Sequence, residues 1–109
     1  MPSKVILIQS EVLGRGDDEL GRLIMANFLR LLGESREKPA TLIFWNTGVN
    51  LLCEGSWAFG HLKTLEEQGV EILACTTCLE YFDLLGKLKV GKKTTMAQSI
   101  QLMLSSDMI

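Results

Sequence analysis

The stretch VEILACTTCLEYF, residues 70–82, passes from an apolar run straight into a segment of helical character. Residues 70–74 are mostly apolar and β-branched, the composition of a strand covered on both faces. The residues that follow, 77–84, predict a short helix. Cys75 and Cys78 lie at the junction, where the free N–H groups of a first helical turn favour the thiolate form of cysteine. A strand that leads directly into a helix is the repeating unit of a parallel α/β fold.

Two earlier apolar runs repeat this pattern. Residues 4–9 (KVILIQ) and 40–45 (ATLIFW) predict strands that precede the one at 70–74, and helix-sized intervals separate the three. A weaker fourth strand is predicted at 87–90, a last helix at 95–104, and the start of a fifth strand at 107–109. The order of these elements predicts an α/β fold with a mostly parallel sheet of four to five strands.

The first helix is the most clearly marked of the helices. It is predicted over residues 18–32, with Asp17 as N-cap and Gly33 as C-cap. The second helix is predicted over about 54–68 and ends at Gly69. Apolar residues recur along the first helix at three- and four-residue spacing and predict its buried face: Leu20, Leu23, Ile24, Phe28, Leu31 and Leu32.

Composition limits the classes of protein that the chain can represent. Its 109 residues and 47% hydrophobic content predict one domain over 1–109. A net charge of −2, with both signs interspersed, predicts no nucleic-acid partner and no electrostatic membrane anchor. The sequence has no run of 18 apolar residues and no signal-peptide pattern after Met1, so we expect a cytoplasmic protein. Three cysteines, an odd number, favour reactive or buried thiols over a disulfide framework.

Three loops should meet at one edge of the predicted sheet, because each follows the carboxyl end of a parallel strand. Ligands of open α/β sheets bind beyond these ends, at the crevice where the strand order reverses. These loops are residues 10–17, 46–56 and 75–78. Asn46 either presents its amide to a ligand or stabilises the loop backbone. The candidate ligand-binding residues at this edge are Asn46, Gly48, Thr76 and Thr77.

The spacing of Cys75 and Cys78 suits several kinds of chemistry. A zinc site needs two more soft ligands, and the only others, Cys53 and His61, are not spaced as a ligand pair. We therefore expect no metal site. A thioredoxin-like oxidoreductase would need a cis-proline after the pair, but the prolines all lie upstream of it.

A phosphate-binding cofactor loop is also disfavoured. Residues 10–18 contain glycines, but they also carry three carboxylates that would repel a phosphate at the start of the first helix. We therefore expect no cofactor. Sulfur transfer through a persulfide remains, in which one thiolate accepts a sulfur atom and the second thiol assists its release. The alternative is a pair of buried and unreactive cysteines.

The chain resembles the C-terminal domain of the YedF-type selenium-metabolism proteins, which belong to the DsrE/DsrF-like superfamily of sulfurtransferase-related proteins. The resemblance covers nearly the whole chain. It is carried by residues 75–82, 87–91 and 94–96, by 13–17 and 19–21, by 46–49 and 55–56, and by 65–66 and 69–70. The family usually has glycine at the position of Thr76, where this chain has a β-branched residue.

The resemblance implies a flavodoxin-like three-layer α/β/α sandwich that forms homo- or hetero-oligomers, of which we expect the homo-oligomer. It also implies a protein that handles sulfur or selenium, with Cys75 as the persulfide-carrying residue and Cys78 as a second, resolving or supporting thiol. The resemblance implies either a stand-alone member of the family or a TusA-like sulfur-carrier protein that acts in trans as its partner. The sequence also has more large apolar residues than a small core needs, and such an excess often marks a subunit interface. We expect the interface residues to be among Trp45, Trp57, Phe59, Met96 and Met103.

Two other functions fit the same residues. The first is a non-catalytic oligomeric binding module that holds a small ligand or a sulfur-carrier protein at the strand-end crevice. Alternatively, a reversible disulfide between Cys75 and Cys78 would act as a redox sensor. Sulfur transfer predicts a persulfide on the pair, redox sensing predicts a reversible Cys75–Cys78 disulfide, and the binding module requires neither.

Overall fold

A computed structural model describes residues 4–108 and contains one five-stranded, fully parallel sheet in the order β4-β3-β2-β1-β5. The strands are β1 (Lys4–Ile8), β2 (Thr41–Phe44), β3 (Glu71–Cys75), β4 (Lys92–Thr94) and β5 (Asp107–Met108). The α-helices are α1 (Asp18–Glu34), α2 (Phe59–Glu67), α3 (Thr76–Tyr81) and α4 (Met96–Leu104), with 3₁₀ helices at Asn46–Leu52 and Leu85–Lys87. Within the described range, no helix is both long and apolar enough to cross a bilayer.

The helices cover the two faces of the sheet unequally. The strand order advances from β1 to β4 and then returns to β5 on the far side of β1. Because crossovers between parallel strands are right-handed, the reversal sends α4 to the opposite face from α1, α2 and α3. The packing agrees, since Met25, Leu29 and Leu62 belong to the larger core, whereas Leu102 and Met103 pack on a small second core. The result is the predicted flavodoxin-like three-layer sandwich.

Strand β2 is the centre of this arrangement. All four of its residues are buried, as expected for a continuous apolar strand in a parallel sheet. It pairs in register with β1 from Thr41 to Phe44 and with β3 over the same residues. The carboxyl ends of these three strands therefore lie side by side. The reversal of strand order lies elsewhere, between β1 and β5, so the prediction that the three loops meet at the reversal is wrong.

The predicted buried face of α1 is also wrong in part. The helix buries Gly21, Met25 and Leu29, with Phe28 and Leu32 packed beside them. Four residues of the predicted face are exposed instead: Leu20, Leu23, Ile24 and Leu31. The helix has two apolar sides, and the close packing at Gly21 decides which of them faces the core. A Cβ at Gly21 would lie 2.8 Å from the Cβ of Val12, so this side of the helix lies directly against the loop after β1.

The ends of the helices differ from the predictions in informative ways. Asp17 caps α1 as predicted, accepting the N–H of Leu20 at 2.9 Å. Gly33 does not end α1, which continues to Glu34 and is closed by Ser35. The segment 53–58 is not helical, so α2 begins later than predicted, but it ends beside Gly69 as predicted, and Gly69 has the left-handed φ of +97° that closes a helix.

The fourth strand lies five residues beyond its predicted start. Residues 88–90 instead pack along the end of the first 3₁₀ helix, where the N–H groups of Lys89 and Val90 donate to the carbonyl of Leu52. Gly91, at a φ of +82°, then passes directly over β3, and only after it does the chain pair with that strand. The predicted last helix and fifth strand are confirmed at Met96–Leu104 and Asp107–Met108, whereas Ile109 lies outside the described residues.

Replacement of Gly91 by alanine should destabilise the fold strongly. A Cβ at Gly91 would lie 2.6 Å from the carbonyl oxygen of Ile72, and the positive φ adds strain. We expect Gly91→Ala to lower the free energy of unfolding by about 3 kcal/mol in urea denaturation. The matched control is Gly14→Ala, because Gly14 has a φ of +83° but open space around it. The control should lose only about 1 kcal/mol, and equal losses would contradict this account.

Candidate functional site

The predicted convergence of loops occurs at the carboxyl ends of β1, β2 and β3. The N–H of Trp45 donates to the carbonyl of Ile8 at 2.9 Å, so the chain leaving β2 stays against β1. The N–H of Glu11 donates to the Thr47 hydroxyl at 3.3 Å, which joins the loop after β1 to the loop after β2. The N–H of Asn46 donates to the sulfur of Cys78 at 3.1 Å, which joins the second loop to α3.

The two cysteines have different environments although they lie three residues apart. Cys75 ends β3 and precedes α3 in an extended conformation, and its side chain is only 4% exposed. Cys78 lies in the first turn of α3 and is partly exposed. Its sulfur accepts the Asn46 N–H, and that bond spans 32 residues of sequence. The structure thus brings the predicted pair together with one thiol inside and one at the surface.

An open pocket lies over the accessible thiol. It has a volume of about 460 Å³ and is lined by Asn46, Thr77, Cys78, Tyr81 and Phe82. The rings of Tyr81 and Phe82 meet edge to face, with centroids 5.2 Å apart. Tyr81 is 82% exposed, so an aromatic surface borders the sulfur on the solvent side. Both aromatics were missed by the sequence analysis, although their positions three and four residues after Cys78 place them on its side of a helix.

Burial determines the protonation of the accessible thiol. It raises the pKa of Cys78 above that of a free cysteine, the Asn46 N–H opposes this shift, and the neighbouring Cys75 thiol raises the pKa further. The sequence led us to expect a helix start that favours the thiolate. Desolvation outweighs that effect here, and α3 is only six residues long. Cys78 is therefore mainly a neutral thiol at pH 7.

Asn46 and Gly48 occupy positions that few other residues would fit, Asn46 because of its backbone conformation and Gly48 because of close packing. Asn46 has a φ of +54°, which asparagine tolerates better than most residues, and it also lines the pocket. Both of its predicted roles thus have a structural basis. Gly48 is buried, and a Cβ there would lie 2.7 Å from the carbonyl oxygen of Ile8. Its role is close backbone packing, and it does not line the pocket over Cys78.

Thr76 and Thr77, between the cysteines, face different surroundings. The Thr76 hydroxyl donates to the carbonyl of Thr94 at 2.9 Å, which ties the start of α3 to the end of β4. Thr76 has no positive φ, so a β-branched residue fits where the resembling family usually has glycine. Thr77 is exposed and lines the pocket beside Cys78. Only Thr77 of the two is placed to contact a ligand there.

The third cysteine and the histidine lie apart from this site. Cys53 is buried, its thiol donates to the carbonyl of Val49 at 3.3 Å, and burial raises its pKa. His61 lies in α2 and does not line the pocket over Cys78. Among residues 4–108, no three histidine, cysteine, aspartate or glutamate side chains are grouped as a metal ion would require.

Comparison with known proteins gives matches at the level of three-dimensional structure. Neither a protein-family model nor a curated protein sequence matches the chain. The YchN protein from E. coli is similar, with a TM-score of 0.73 and 19% identity over 99% of this chain and 97% of its own. The protein of unknown function MTH1491 from Methanobacterium thermoautotrophicum has a TM-score of 0.74 and 21% identity over 100% of this chain and 98% of its own. At these identities the likeness establishes the fold, and it confirms the α/β class.

Removal of the Cys75 thiol should lower the pKa of Cys78. The neighbouring thiol raises that pKa, so Cys75→Ala makes the Cys78 thiolate form at lower pH. The rate of iodoacetamide alkylation at Cys78, followed by mass spectrometry from pH 6 to 10, should reach half its maximum at a lower pH in the variant. Cys53→Ala, which changes a distant thiol, should leave the profile unchanged. An upward shift in Cys75→Ala would contradict the assigned cause.

Proposed function

We propose that this protein handles sulfur, or selenium, as a cysteine persulfide at the Cys75 and Cys78 pair, in the manner implied for DsrE- and YedF-type proteins. One observation carries the proposal: partly exposed Cys78 lines an open pocket, its sulfur accepts a backbone N–H at 3.1 Å, and a second, buried thiol lies beside it. The fold shared with YchN and MTH1491 is compatible with this superfamily.

Accessibility gives the two thiols an order of action. A donor persulfide, R–S–SH, reaches Cys78 first, because Cys75 is 4% exposed and does not line the pocket. The Cys78 thiol gives up its proton as it attacks the outer sulfur of the donor, the sulfur–sulfur bond of the donor breaks, and the departing R–S⁻ takes up that proton and leaves as R–SH. The product is a persulfide on Cys78. No external oxidant or reductant is consumed, since one sulfur–sulfur bond replaces another.

The second step moves the sulfur inward. The Cys75 thiolate attacks the outer sulfur of the Cys78 persulfide, a new sulfur–sulfur bond forms on Cys75, and Cys78 leaves as a thiolate. The Asn46 N–H points at the Cys78 sulfur and stabilises the charge that develops there. Cys75 is then the carrier, as the resemblance implies, and burial protects its persulfide from water. Release to an acceptor thiol reverses the two steps.

The pocket suits a protein donor better than free sulfide. Its aromatic border of Tyr81 and Phe82 can contact apolar side chains that flank a donor cysteine, whereas a single sulfur atom would leave most of 460 Å³ empty. A TusA-like carrier protein is therefore the proposed partner. The protein is also proposed to act as a homo-oligomer in the cytoplasm, and the exposed apolar residues of α1 and α4 support self-association.

The order of transfer predicts a distinct labelling pattern for each cysteine variant. The protein is incubated with a cysteine desulfurase and ³⁵S-labelled cysteine, and the persulfide is mapped by mass spectrometry. We expect label on Cys75 in the unchanged protein, on Cys78 in Cys75→Ser, and on neither residue in Cys78→Ser. Cys53→Ala is the matched control and should label like the unchanged protein.

Two other outcomes would have different meanings. Normal labelling of Cys75 in Cys78→Ser would contradict the order of transfer but leave the persulfide function intact. No label on either cysteine of the unchanged protein, with carrier binding preserved in both serine variants, would contradict the persulfide function and favour the binding module.

A further inference from the structure

Two side-chain polar atoms within residues 4–108 are buried without a hydrogen-bond partner in the protein: the indole Nε1 of Trp45 and the hydroxyl of Ser99. A buried donor in this state costs free energy, so native structures contain few of them and each calls for an explanation. Trp45 is partly buried as a whole, whereas Ser99 is only 1% exposed. Neither residue lines the pocket over Cys78, so the proposed sulfur transfer does not yet use them.

Trp45 and Cys75 lie on the same side of the sheet, the side that α4 covers. Ile43 and Leu73, two residues before them, are register partners, and both belong to the small second core. Trp45 and Cys75 are themselves extended, so their side chains return to that side of the sheet. Trp45 packs on the second core, whereas Cys75 is buried but belongs to neither core. The indole and the buried thiol are therefore neighbours across adjacent strands.

Ser99 approaches the same side of the sheet from the helix above it. Cys75 is the register partner of Thr94, the last residue of β4, and α4 begins two residues after Thr94. The Thr94 hydroxyl donates to the Gln98 side chain at 3.1 Å, which ties the first turn of α4 to the end of β4. Ser99 comes next, and it is the only buried residue of Met96–Leu104. A hydroxyl thus occupies the most buried position of the helix, on the Cys75 side of the sheet.

The two side chains suit a ligand that accepts hydrogen bonds. An indole N–H can only donate, and a serine hydroxyl can donate as well. A persulfide on Cys75 ends in an outer sulfur atom, and an ionised acceptor of this kind forms stronger hydrogen bonds than a neutral one. We infer that Trp45 and Ser99 form an inner sulfur site, which binds the outer sulfur of the Cys75 persulfide on the α4 side of the sheet. The inference rests on the proposed function, since it requires a persulfide on Cys75.

The inner sulfur site gives a physical reason for sulfur to stay on Cys75. Transfer from Cys78 to Cys75 replaces one sulfur–sulfur bond by another, so the exchange has little driving force of its own. The sulfur of Cys78 accepts one N–H, that of Asn46, whereas the inner site offers two donors. Neither donor has to give up a partner within the protein in order to bind sulfur. The two donors therefore favour Cys75 as the place of storage.

The distribution of sulfur between the two cysteines tests the inner sulfur site. The protein is loaded with a cysteine desulfurase and ³⁵S-labelled cysteine, and mass spectrometry gives the ratio of persulfide on Cys75 to persulfide on Cys78 at equilibrium. We expect Ser99→Ala and Trp45→Phe each to lower this ratio about tenfold, because each variant loses one hydrogen bond to the sulfur.

Matched controls change a serine and a tryptophan outside the site. Ser105→Ala, just after α4, and Trp57→Phe both alter exposed residues and should keep the ratio. If Ser99→Ala and Trp45→Phe also keep the ratio while persulfide still forms on Cys75, the inner sulfur site is wrong and the proposed function stands. If no persulfide forms on Cys75 of the unchanged protein, the proposed function fails and the inference fails with it.

The stability of the unloaded protein separates sulfur binding from a structural role of Ser99. The hydroxyl has no partner in the protein, so Ser99→Ala should keep or raise the urea concentration at the midpoint of unfolding. A lower midpoint than in Ser105→Ala would show that the hydroxyl stabilises the fold, and it would overturn the assignment of Ser99.

Trp45 fluorescence gives a readout that does not depend on counting sulfur. In a Trp57→Phe background, Trp45 is the only tryptophan. Loading of Cys75 should shift its emission, because the indole N–H gains a hydrogen bond. The same loading of Cys75→Ser, in which sulfur stops at Cys78, should leave the emission unchanged. Equal spectra before and after loading of Cys75 would overturn the role of Trp45.

Discussion

The backbone turn at Asn46 holds three elements of the site in one geometry. Strand β2 is buried along its whole length, and the chain turns within two residues of its end. Asn46 has a positive φ of +54° in that turn, and its N–H donates to the sulfur of Cys78. Beside it, Trp45 donates to Ile8 and Gly48 lies close against the end of β1. The turn at residues 45–48 therefore connects β1, β2 and α3.

The electrostatics of the accessible thiol reflect two opposing effects of this geometry. Burial of Cys78 disfavours the thiolate, while the Asn46 N–H favours it, and burial has the larger effect. A thiol of this kind reacts slowly with small oxidants, because only the thiolate is a good nucleophile. Under the proposed function, a donor protein that fills the pocket would bring its own reactive sulfur against Cys78.

The sequence was sufficient to predict the features that depend on local patterns. The first three strands are continuous apolar runs, and the N-cap of α1 is an aspartate directly before an apolar-periodic segment, so both could be recognised. The position of the fourth strand could not be predicted from local patterns, because it depends on the packing of Gly91 against β3. The buried face of α1 could not be predicted either, because the helix has two apolar sides and a tertiary contact at Gly21 decides which of them is buried.

The same division applies to the site. The position of the cysteine pair at a strand end followed from the order of the elements. The burial of Cys75, the exposure of Cys78 and the bond from Asn46 depend on contacts between residues far apart in the sequence, and no local pattern encodes them. The aromatic residues of the pocket could have been predicted, since Tyr81 and Phe82 follow Cys78 at helical spacing in a segment that the sequence predicts as a helix.

Sulfur is proposed to enter through Cys78 and then to be stored on Cys75. A rapid-quench time course tests it most directly: the protein is mixed with a persulfide-loaded TusA-like carrier, and the persulfide on each cysteine is measured by mass spectrometry at successive times. The account predicts that the Cys78 persulfide appears first and decays as the Cys75 persulfide accumulates. A Cys75 persulfide that forms without a preceding one on Cys78 would contradict it.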